Sequence, residues 1–381
     1  MHKIVILGAG FAGLTLATEL DFLAKEGKAE ITLVEKNSSF SMGFSMQWAM
    51  IGRRKPEEGY RPYSSLRTRH VKFVQEEIVS IDTKDRHVRT KSLMLPYDDL
   101  VIALGAELKP ELIPGLAENS YNLCDTDSVM RLRYALEKIN HGTIVILISS
   151  VPFKCPPAPY EYALLIDDLL RKRNVRGRIR LVLTTPEPQP MPVAGKAVGS
   201  AVEALLSGKG IEYIPLLKPK IVERGKIIYE NGFELSYDLL CAMPPHRSPA
   251  FLADSGLADS TGFVPVTLGS FEAVPHVYAV GDAASIRLPN GSPHPKAGVF
   301  AEAQAMAVAK RLISEISGKE AEPYEGKGVC FIDTGGEQAA PAEIHLLSPE
   351  GPKANLGPPS EEGLEGKKLF ESERLKKWFG G

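Results

Sequence analysis

The sequence has few cysteines and no long apolar run, and each shortage excludes a class of protein. Four cysteines in 381 residues do not make the dense disulfide framework of a small secreted domain. No stretch approaches the roughly 18 apolar residues that a membrane-spanning helix needs. Lys and Arg number 45 against 47 Asp and Glu, so the chain lacks the overall positive charge with which proteins hold a nucleic-acid backbone.

What is present is the composition of a globular protein. Hydrophobic residues make up 44% and charged residues 24% of the chain, which excludes a mostly disordered protein. The length predicts two or three domains. The amino terminus, Met1-His2-Lys3, leads into a short apolar run that ends in glycine, and it lacks the pattern of a secretory signal peptide. We therefore expect a protein of the cytoplasm, or one bound peripherally to the cell membrane.

The first chemical signal is a glycine-rich turn between a strand and a helix. The predicted order is strand 3–7, turn 8–13, helix 14–24 and strand 31–34. Gly8 permits the tight turn, Gly10 lets the backbone approach a pyrophosphate, and Gly13 lets the helix pack on the strand. Glu35 ends the second strand, where an acidic residue binds a ribose hydroxyl. The pattern predicts a dinucleotide site that also includes Phe11, Ala12 and Lys36.

Two later segments resemble the conserved segments of flavoproteins with two dinucleotide-binding domains. One buried strand ends in the small-residue turn Ala103-Leu104-Gly105, and a second strand is closed by Gly281-Asp282. In those flavoproteins the corresponding aspartate binds the ribityl chain of FAD. The resemblance therefore identifies the dinucleotide as FAD, with Ala103, Gly105, Gly281 and Asp282 among the residues that bind it.

A second βαβ unit is expected near the middle of such a flavoprotein, with its own glycine turn for NAD(P)H. Its strand is present at 143–148, but the residues that follow, 149–161, contain no glycine. A β-branched Val151 and several prolines stand where a pyrophosphate needs bare backbone and free N–H groups. We predict a dinucleotide-type domain that has lost its nicotinamide site, so the electron donor is not NAD(P)H.

A cysteine lies in the segment that replaces the expected nicotinamide-binding turn, and a second cysteine is a candidate partner for it. Cys155 comes directly before a predicted helix over 161–171. The helix N-terminus and the neighbouring Lys154 both favour a thiolate, so we expect a lowered pKa at Cys155. Cys330 lies far along the chain among glycines, and the two cysteines can pair only if the fold brings them together. Cys241 lies in an apolar strand and is expected to be an inert core thiol.

Three segments make the sequence similar to the sulfide:quinone oxidoreductase and flavocytochrome c sulfide dehydrogenase family. They are FKCPPAPYE at 153–161, PKAGVFAE at 295–302, and Cys330-Phe331, and the resemblance extends from the first glycine turn to about residue 335. It implies that Cys155 and Cys330 lie beside the flavin and form a redox-active disulfide or polysulfide bridge. Hydrosulfide would attack the bridge to give a persulfide, and the remaining thiolate would pass electrons to the flavin.

The resemblance implies roles for further residues. Lys296 matches a lysine expected near the pyrimidine end of the flavin ring, and Glu161 belongs to the cysteine motif as a candidate catalytic residue. Cys124 aligns with a third cysteine of many quinone-linked members, or is an ordinary small residue before a helix. Phe300 and Phe331 are candidates to wall a quinone pocket, or are aromatic residues of the core. The eight histidines show no metal-ligand spacing, and no metal site is expected.

The carboxyl end predicts two features. The proline- and glycine-containing residues 337–363 are typical of an irregular connection, and 367–379 predict a basic helix with apolar and aromatic residues. Such a helix can lie at a lipid interface, or it can pack its apolar residues on the protein. We favour packing on the protein.

These observations predict an α/β fold with two Rossmann-like domains of the glutathione reductase type, the second lacking a nicotinamide fingerprint, and a small C-terminal region. The expected boundaries are 1–110 and 240–315 for the FAD-binding domain, 111–239 for the degenerate domain and 316–381 for the C-terminal region. The expected activity is FAD-dependent oxidation of sulfide to polysulfide or sulfane sulfur, with electrons passed to a membrane quinone. A homo-oligomer is expected.

Three alternatives stay open. A flavoprotein subunit of a cytochrome-linked sulfide dehydrogenase would have a cytochrome c partner; Glu302 resembles the quinone-linked pattern and Gln304 the cytochrome-linked one. A type II NADH:quinone oxidoreductase is disfavoured by the missing second glycine turn. A flavin-bound redox sensor would show a titrating disulfide without turnover.

Overall fold

The computed structural model describes residues 1–318, 320 and 322–380. The α-helices in this part of the chain are α1 (Phe11–Lys25), α2 (Ser45–Met50), α3 (Leu116–Asn119), α4 (Thr126–Lys138), α5 (Ala158–Lys172), α6 (Lys196–Gly208), α7 (Phe251–Asp254), α8 (Gly298–Ser317) and α9 (Glu361–Phe379). The strands of the amino-terminal part are β1 (His2–Leu7), β2 (Ala29–Glu35), β3 (Ser39–Ser41), β4 (Tyr60–Pro62), β5 (Lys72–Gln75), β6 (Ile78–Asp82), β7 (His87–Thr90), β8 (Met94–Pro96), β9 (Asp99–Ile102) and β10 (Glu107–Leu108).

The strands of the central part are β11 (Tyr121–Asn122), β12 (Gly142–Ile148), β13 (Ile179–Thr184), β14 (Glu212–Ile214), β15 (Pro219–Glu223), β16 (Lys226–Tyr229), β17 (Glu234–Ser236) and β18 (Leu239–Met243). The remaining strands are β19 (His246–Arg247), β20 (Val264–Pro265), β21 (Glu272–Val274), β22 (Val277–Ala279), β23 (Ala284–Ser285), β24 (Lys327–Gly335), β25 (Gln338–His345) and β26 (Lys353–Leu356).

The first large sheet has the strand order β21-β22-β9-β1-β2-β5 and is parallel except for β21. Its central strand, β1, carries four consecutive buried residues, Ile4 to Leu7, as is typical of a parallel strand that is covered on both faces. Helices α1 and α8 pack against each other beside this sheet. The sheet therefore combines the amino-terminal segment with strands that lie after residue 270, as the interleaved architecture predicts.

The second large sheet is wholly parallel, in the order β11-β18-β12-β13-β14. Strand β18 pairs with β12 inside this sheet, so the expected domain boundary at residue 240 runs through a strand that extends to Met243. The chain passes from the first large sheet to the second after β9 and returns after β18. Strands β10 and β19 lie in these two connecting segments and form a short antiparallel pair. The described fold is therefore the α/β architecture with two Rossmann-type sheets that the sequence predicts.

The C-terminal region is an antiparallel sheet of β24, β25 and β26 followed by α9. Strands β25 and β26 lie within the segment 337–363, which was expected to be irregular, and that prediction is wrong. Pro341 inside β25 hid the strand, because proline is uncommon within sheets except at positions that need no N–H donor. Strand β24 packs on α5, and α9 packs on β25. The sheet thus brings Cys330 to the helix that follows Cys155.

Helix α9 packs on the protein. It begins after Ser360, whose side chain accepts a hydrogen bond from the Gly363 N–H at 3.0 Å. Leu375 and Trp378 are buried, and the indole ring meets the ring of Phe11 edge-on at 5.3 Å between centroids. Within the residues described, none of the helices combines the length and apolar character needed to cross a membrane.

Candidate active site

A cavity of about 680 Å³ is walled by residues of both large sheets, the C-terminal sheet and α9. Most of the site residues predicted from the sequence lie in its wall: Gly8, Gly10, Phe11, Ala12, Glu35, Ala103, Gly105, Cys124, Cys155, Glu161, Gly281, Asp282, Lys296, Cys330 and Phe331. Gly13, Lys36 and Phe300 do not line it. Segments that lie far apart in the sequence therefore line one cavity.

The first glycine turn fits a phosphate group. Gly8 has φ +93°, and a Cβ there would lie 2.5 Å from the carbonyl oxygen of Ala103. A Cβ on Gly13 would lie 1.8 Å from the Gly8 carbonyl oxygen. Gly13 therefore allows helix α1 to pack closely on the turn, although it does not line the cavity itself. Gly10 has no neighbour within 4 Å of a Cβ and faces open space in the wall. The open backbone at Gly10 is what a dinucleotide pyrophosphate requires.

The acidic residue of the motif is fixed at the same end of the cavity. Glu35 accepts hydrogen bonds from the Ala9 N–H at 3.0 Å and from the Asn37 side chain at 2.7 Å. Asn37 lines the cavity, whereas Lys36 is exposed and lies outside its wall. No side chain caps the N-terminus of α1, which leaves its first N–H groups available to an anion. The donors and the carboxylate together fit a bound dinucleotide such as FAD.

Lys296 presents a fixed cation to the cavity. Its Nζ donates to the carbonyl oxygens of Asp282 at 2.7 Å and Ala284 at 2.9 Å, and lies 3.7 Å from the ring centroid of Phe263. Burial lowers the pKa of Lys296 to about 8. The neighbouring Lys154 lies 3.9 Å from the Asp282 carboxylate. The site therefore holds positive charge where the sequence predicts the flavin ring.

Backbone contacts tie Cys155 to the lysine motif. Its N–H donates to the Lys296 carbonyl at 2.7 Å, and its own carbonyl accepts from the Ala158 N–H at 2.8 Å. Cys155 has φ +56°, a left-handed conformation that costs free energy for any residue other than glycine. Such strain is typical of residues whose position matters for function. Cys155 and Cys330 both line the cavity, and all four cysteines are free.

The structure contradicts the prediction of a lowered pKa at Cys155. Burial raises the pKa of this thiol, and the carboxylate of Glu161 and the thiol of Cys330 raise it further. The N–H of Ala158 at the helix N-terminus favours the thiolate but does not outweigh burial, and Lys154 is paired with Asp282 instead. Burial likewise raises the pKa of Cys330 to about 12. Both thiols are therefore protonated at neutral pH in this arrangement.

The third candidate cysteine has a histidine beside it. The Cys124 Sγ lies 4.0 Å from the Nε2 of His246, and burial raises the pKa of this thiol to about 12. Burial also lowers the pKa of His246 to about 4, so the imidazole is neutral. The sequence predicts no role for His246, because a single histidine beside prolines matches no functional motif. Cys241 is fully buried in β18.

Sequence reasoning missed a buried ion pair in the cavity wall. Glu161 accepts a hydrogen bond from the Nζ of Lys367 on α9, and from the Nε2 of Gln47 at 3.1 Å. The backbone N–H of Asp333 also donates to Glu161, at 2.8 Å. Burial raises the pKa of Glu161, while Lys367 opposes that shift. The sequence predicts Lys367 only as part of a basic helix, and the fold reveals its partner.

A second, smaller cavity of about 90 Å³ lies on the other side of Cys330. Phe300 lines this cavity, with its ring edge-on to His294 at 5.0 Å between centroids. Phe331 lines the larger cavity. The two residues predicted for one quinone pocket therefore line different cavities.

Comparisons with known proteins agree with this geometry. Residues 2–147 match the family described as pyridine nucleotide-disulphide oxidoreductase, and residues 129–194 match the central part of the flavocytochrome c sulfide dehydrogenase flavoprotein chain. The sulfide-quinone reductase of Aquifex aeolicus is 26% identical over 87% of this chain and 81% of its own length. A type II NADH:quinone oxidoreductase of Staphylococcus aureus is 23% identical over 87% of this chain and 86% of its own.

Among solved structures, the X-ray structure of the sulfide:quinone oxidoreductase from Aquifex aeolicus superimposes with a TM-score of 0.88 and 26% identity. The superposition covers 99% of this chain and 91% of that one. The resemblance identified in the sequence is thereby confirmed: this chain is an oxidoreductase that is similar in sequence and fold to the sulfide:quinone oxidoreductases and, over its central segment, to the flavocytochrome c sulfide dehydrogenase flavoprotein chain.

Proposed function

We propose that the protein oxidises sulfide at Cys155 and Cys330 and delivers the electrons, by way of bound FAD, to a quinone. One observation carries the proposal: the two cysteines line the same cavity as the dinucleotide-type glycine turn. FAD would be held by the turn residues Gly8 and Gly10, by Glu35, and by Asp282 and its neighbours. When bound there, it supplies an acceptor for an electron pair beside the two sulfur atoms.

The cavities favour different roles for the two cysteines. Cys330 lines both cavities, whereas Cys155 lines only the larger one. In the oxidised pair, hydrosulfide attacks the Sγ of Cys330; a new S–S bond forms there, the bond between the cysteines breaks, and Cys155 leaves as a thiolate. The products are a persulfide on Cys330 and a thiolate on Cys155, so the electrons and atoms balance.

A second hydrosulfide completes the cycle. It displaces the outer sulfur of the Cys330 persulfide as hydrogen disulfide, the first member of the polysulfides, and leaves Cys330 as a thiolate. Removal of two electrons from the two thiolates then restores their disulfide. The raised pKa values of both cysteines make each of them a poor leaving group until a cation is near. Lys367 lowers the pKa of both thiols and supplies that charge.

The quinone is proposed to lie in the larger cavity, against Phe331. The buried pair of Glu161 and Lys367 lines the same wall and holds protons that a quinone needs when it takes up two electrons. Because such quinones dissolve in the lipid bilayer, we expect the protein to work at a membrane surface. We also expect a homo-oligomer, in the cytoplasm or bound peripherally to the cell membrane.

The test is an anaerobic titration of the purified holoenzyme with sodium sulfide while the flavin absorbance is followed, with NADH as the parallel donor. Sulfide is expected to bleach the flavin at about two equivalents, because two hydrosulfides are consumed for each electron pair that reaches the flavin. NADH is expected to leave the flavin oxidised. Cys155→Ser and Cys330→Ser should abolish bleaching, and Cys241→Ser should keep it. Bleaching by NADH alone would refute the proposal in favour of a type II NADH:quinone oxidoreductase.

The second candidate is a flavoprotein that passes its electrons to a cytochrome. The match of residues 129–194 to the flavocytochrome c sulfide dehydrogenase chain favours it. Sulfide-reduced enzyme mixed with decylubiquinone or with cytochrome c separates the two. Rapid reoxidation by the quinone alone supports our proposal, and reoxidation by the cytochrome alone supports the second candidate.

A further inference from the structure

The smaller cavity is lined both by residues that are exposed at the protein surface and by Cys330. Val151 and Pro293 are exposed residues of this lining. Ile332 and Ala342, from the C-terminal sheet, are buried in its wall near Cys330. Its lining is almost entirely apolar, so it admits a small neutral molecule far more readily than an anion.

One carboxyl group interrupts this apolar wall. Glu187 follows the end of β13 and is only 8% exposed. The Tyr160 hydroxyl donates to its Oε2 at 3.3 Å, and its N–H donates to the Thr185 side chain at 3.1 Å. In a dinucleotide-binding domain, an acidic residue at the end of the second strand faces a ribose. Here the side chain faces the cavity that leads to Cys330.

The other titratable groups around this carboxyl are fixed in one protonation state near neutral pH or directed elsewhere. Burial raises the pKa of Tyr160 and of Tyr213, whose ring lies 6.5 Å from that of Tyr160. Burial lowers the pKa of His294, in the same cavity wall, to about 4. Lys296, whose pKa burial lowers to about 8, also lines this cavity, but its Nζ is directed to the carbonyl oxygens of Asp282 and Ala284. Burial raises the pKa of Glu187 itself to about 7.

We propose that the smaller cavity is the route by which hydrogen sulfide enters as neutral H₂S, and that Glu187 accepts its proton before the sulfur reaches Cys330. This inference rests on the proposed function and adds the proton acceptor that it lacks. The step balances: H₂S loses a proton to the Glu187 carboxylate, and the hydrosulfide produced attacks the Sγ of Cys330 as described above. The Tyr160 hydrogen bond stabilises the carboxylate and so keeps part of the group ionised.

The experiment uses the holoenzyme, mixed anaerobically with sodium sulfide in a stopped-flow instrument between pH 5.5 and 8.5. Flavin bleaching gives the rate, and mass spectrometry of quenched, alkylated samples gives the Cys330 persulfide. The bleaching rate is divided by the concentration of H₂S at each pH. For the wild-type protein this normalised rate should rise with pH to a plateau, with a midpoint near pH 7. In Glu187→Gln the normalised rate should be about 100-fold lower at pH 8 and should not rise with pH.

Three further variants separate a proton acceptor from a structural residue. Tyr160→Phe removes the donor that stabilises the carboxylate and should move the midpoint to higher pH. Val193→Phe narrows the cavity at a turn and should slow the reaction without moving the midpoint. Glu203→Gln, on α6 and outside the cavity wall, is the matched control and should match the wild-type protein.

Two results would overturn the inference while leaving the proposed function standing. One is an unchanged profile in Glu187→Gln. The other is a rate that keeps rising with pH in every variant, because that result means that hydrosulfide anion enters directly. If sulfide neither bleaches the wild-type flavin nor forms a persulfide, the proposed function itself has failed.

Discussion

Lys367 donates a hydrogen bond to Glu161 although 206 positions separate the two residues in the chain. Both side chains are buried, and both line the cavity that contains the cysteines. The pair therefore joins α9 to the helix that follows Cys155, and the C-terminal helix becomes part of the active-site wall.

The first prediction concerns the stability that this pair controls. Lys367→Met leaves the Glu161 carboxylate buried without its cation, which should lower the free energy of unfolding by about 3–5 kcal/mol. Urea denaturation followed by circular dichroism measures the change. Lys376→Met, on the exposed face of the same helix, should leave the unfolding free energy within about 0.5 kcal/mol of the wild-type value.

The double variant Glu161→Gln with Lys367→Met removes both charges together. It should recover most of the stability that Lys367→Met loses, because neither buried group is then left ionised without a partner. If Lys367→Met alone unfolds at the same urea concentration as the wild-type protein, the two charges do not depend on each other.

The second prediction separates two glycines of one motif. Gly10→Ala places its methyl group in open space, so the apoprotein should keep its melting temperature while the added carbon obstructs the pyrophosphate. Gly13→Ala drives a methyl group into the Gly8 carbonyl at 1.8 Å and should destabilise the apoprotein itself. Calorimetry of the apoprotein and the flavin content after incubation with FAD check the two outcomes. Equal flavin content in Gly10→Ala and the wild-type protein contradicts the role of this turn.

The third prediction tests what raises the pKa of the Cys155 thiol. Removing the negative charge in Glu161→Gln should lower this pKa and make alkylation by iodoacetamide at pH 9 at least several-fold faster. Cys124 is the internal control, since Glu161 does not contribute to its pKa and its rate should stay unchanged. Mass spectrometry of the reduced protein gives both rates. An equal increase at both cysteines indicates a loosened structure instead of an electrostatic effect.

The sequence predicts those parts of the site that depend on local pattern. A glycine turn, a strand and an acidic residue within 35 positions are enough for the first nucleotide unit, and the helix after Cys155 was placed within three residues of its observed start. The pairing of Glu161 with Lys367 depends on how α9 packs against α5, and no local pattern encodes it. The pKa at Cys155 was mispredicted for a related reason: the nearby charges are visible in the sequence, but burial is a property of the fold.

The last prediction follows from the raised pKa of Glu187 and concerns stability instead of turnover. The folded protein holds this proton up to about pH 7, whereas an ordinary glutamate releases it near pH 4.5. Between those values the folded state binds more protons than the unfolded state, so this group makes the wild-type protein less stable as the pH rises. Glu187→Gln lacks the effect, so its stability relative to the wild-type protein should grow between pH 5 and pH 8 by up to about 3 kcal/mol. Urea titrations of both proteins at each pH measure this difference, in which buried histidines such as His294 cancel. A difference that stays constant with pH means that Glu187 ionises normally in the folded protein.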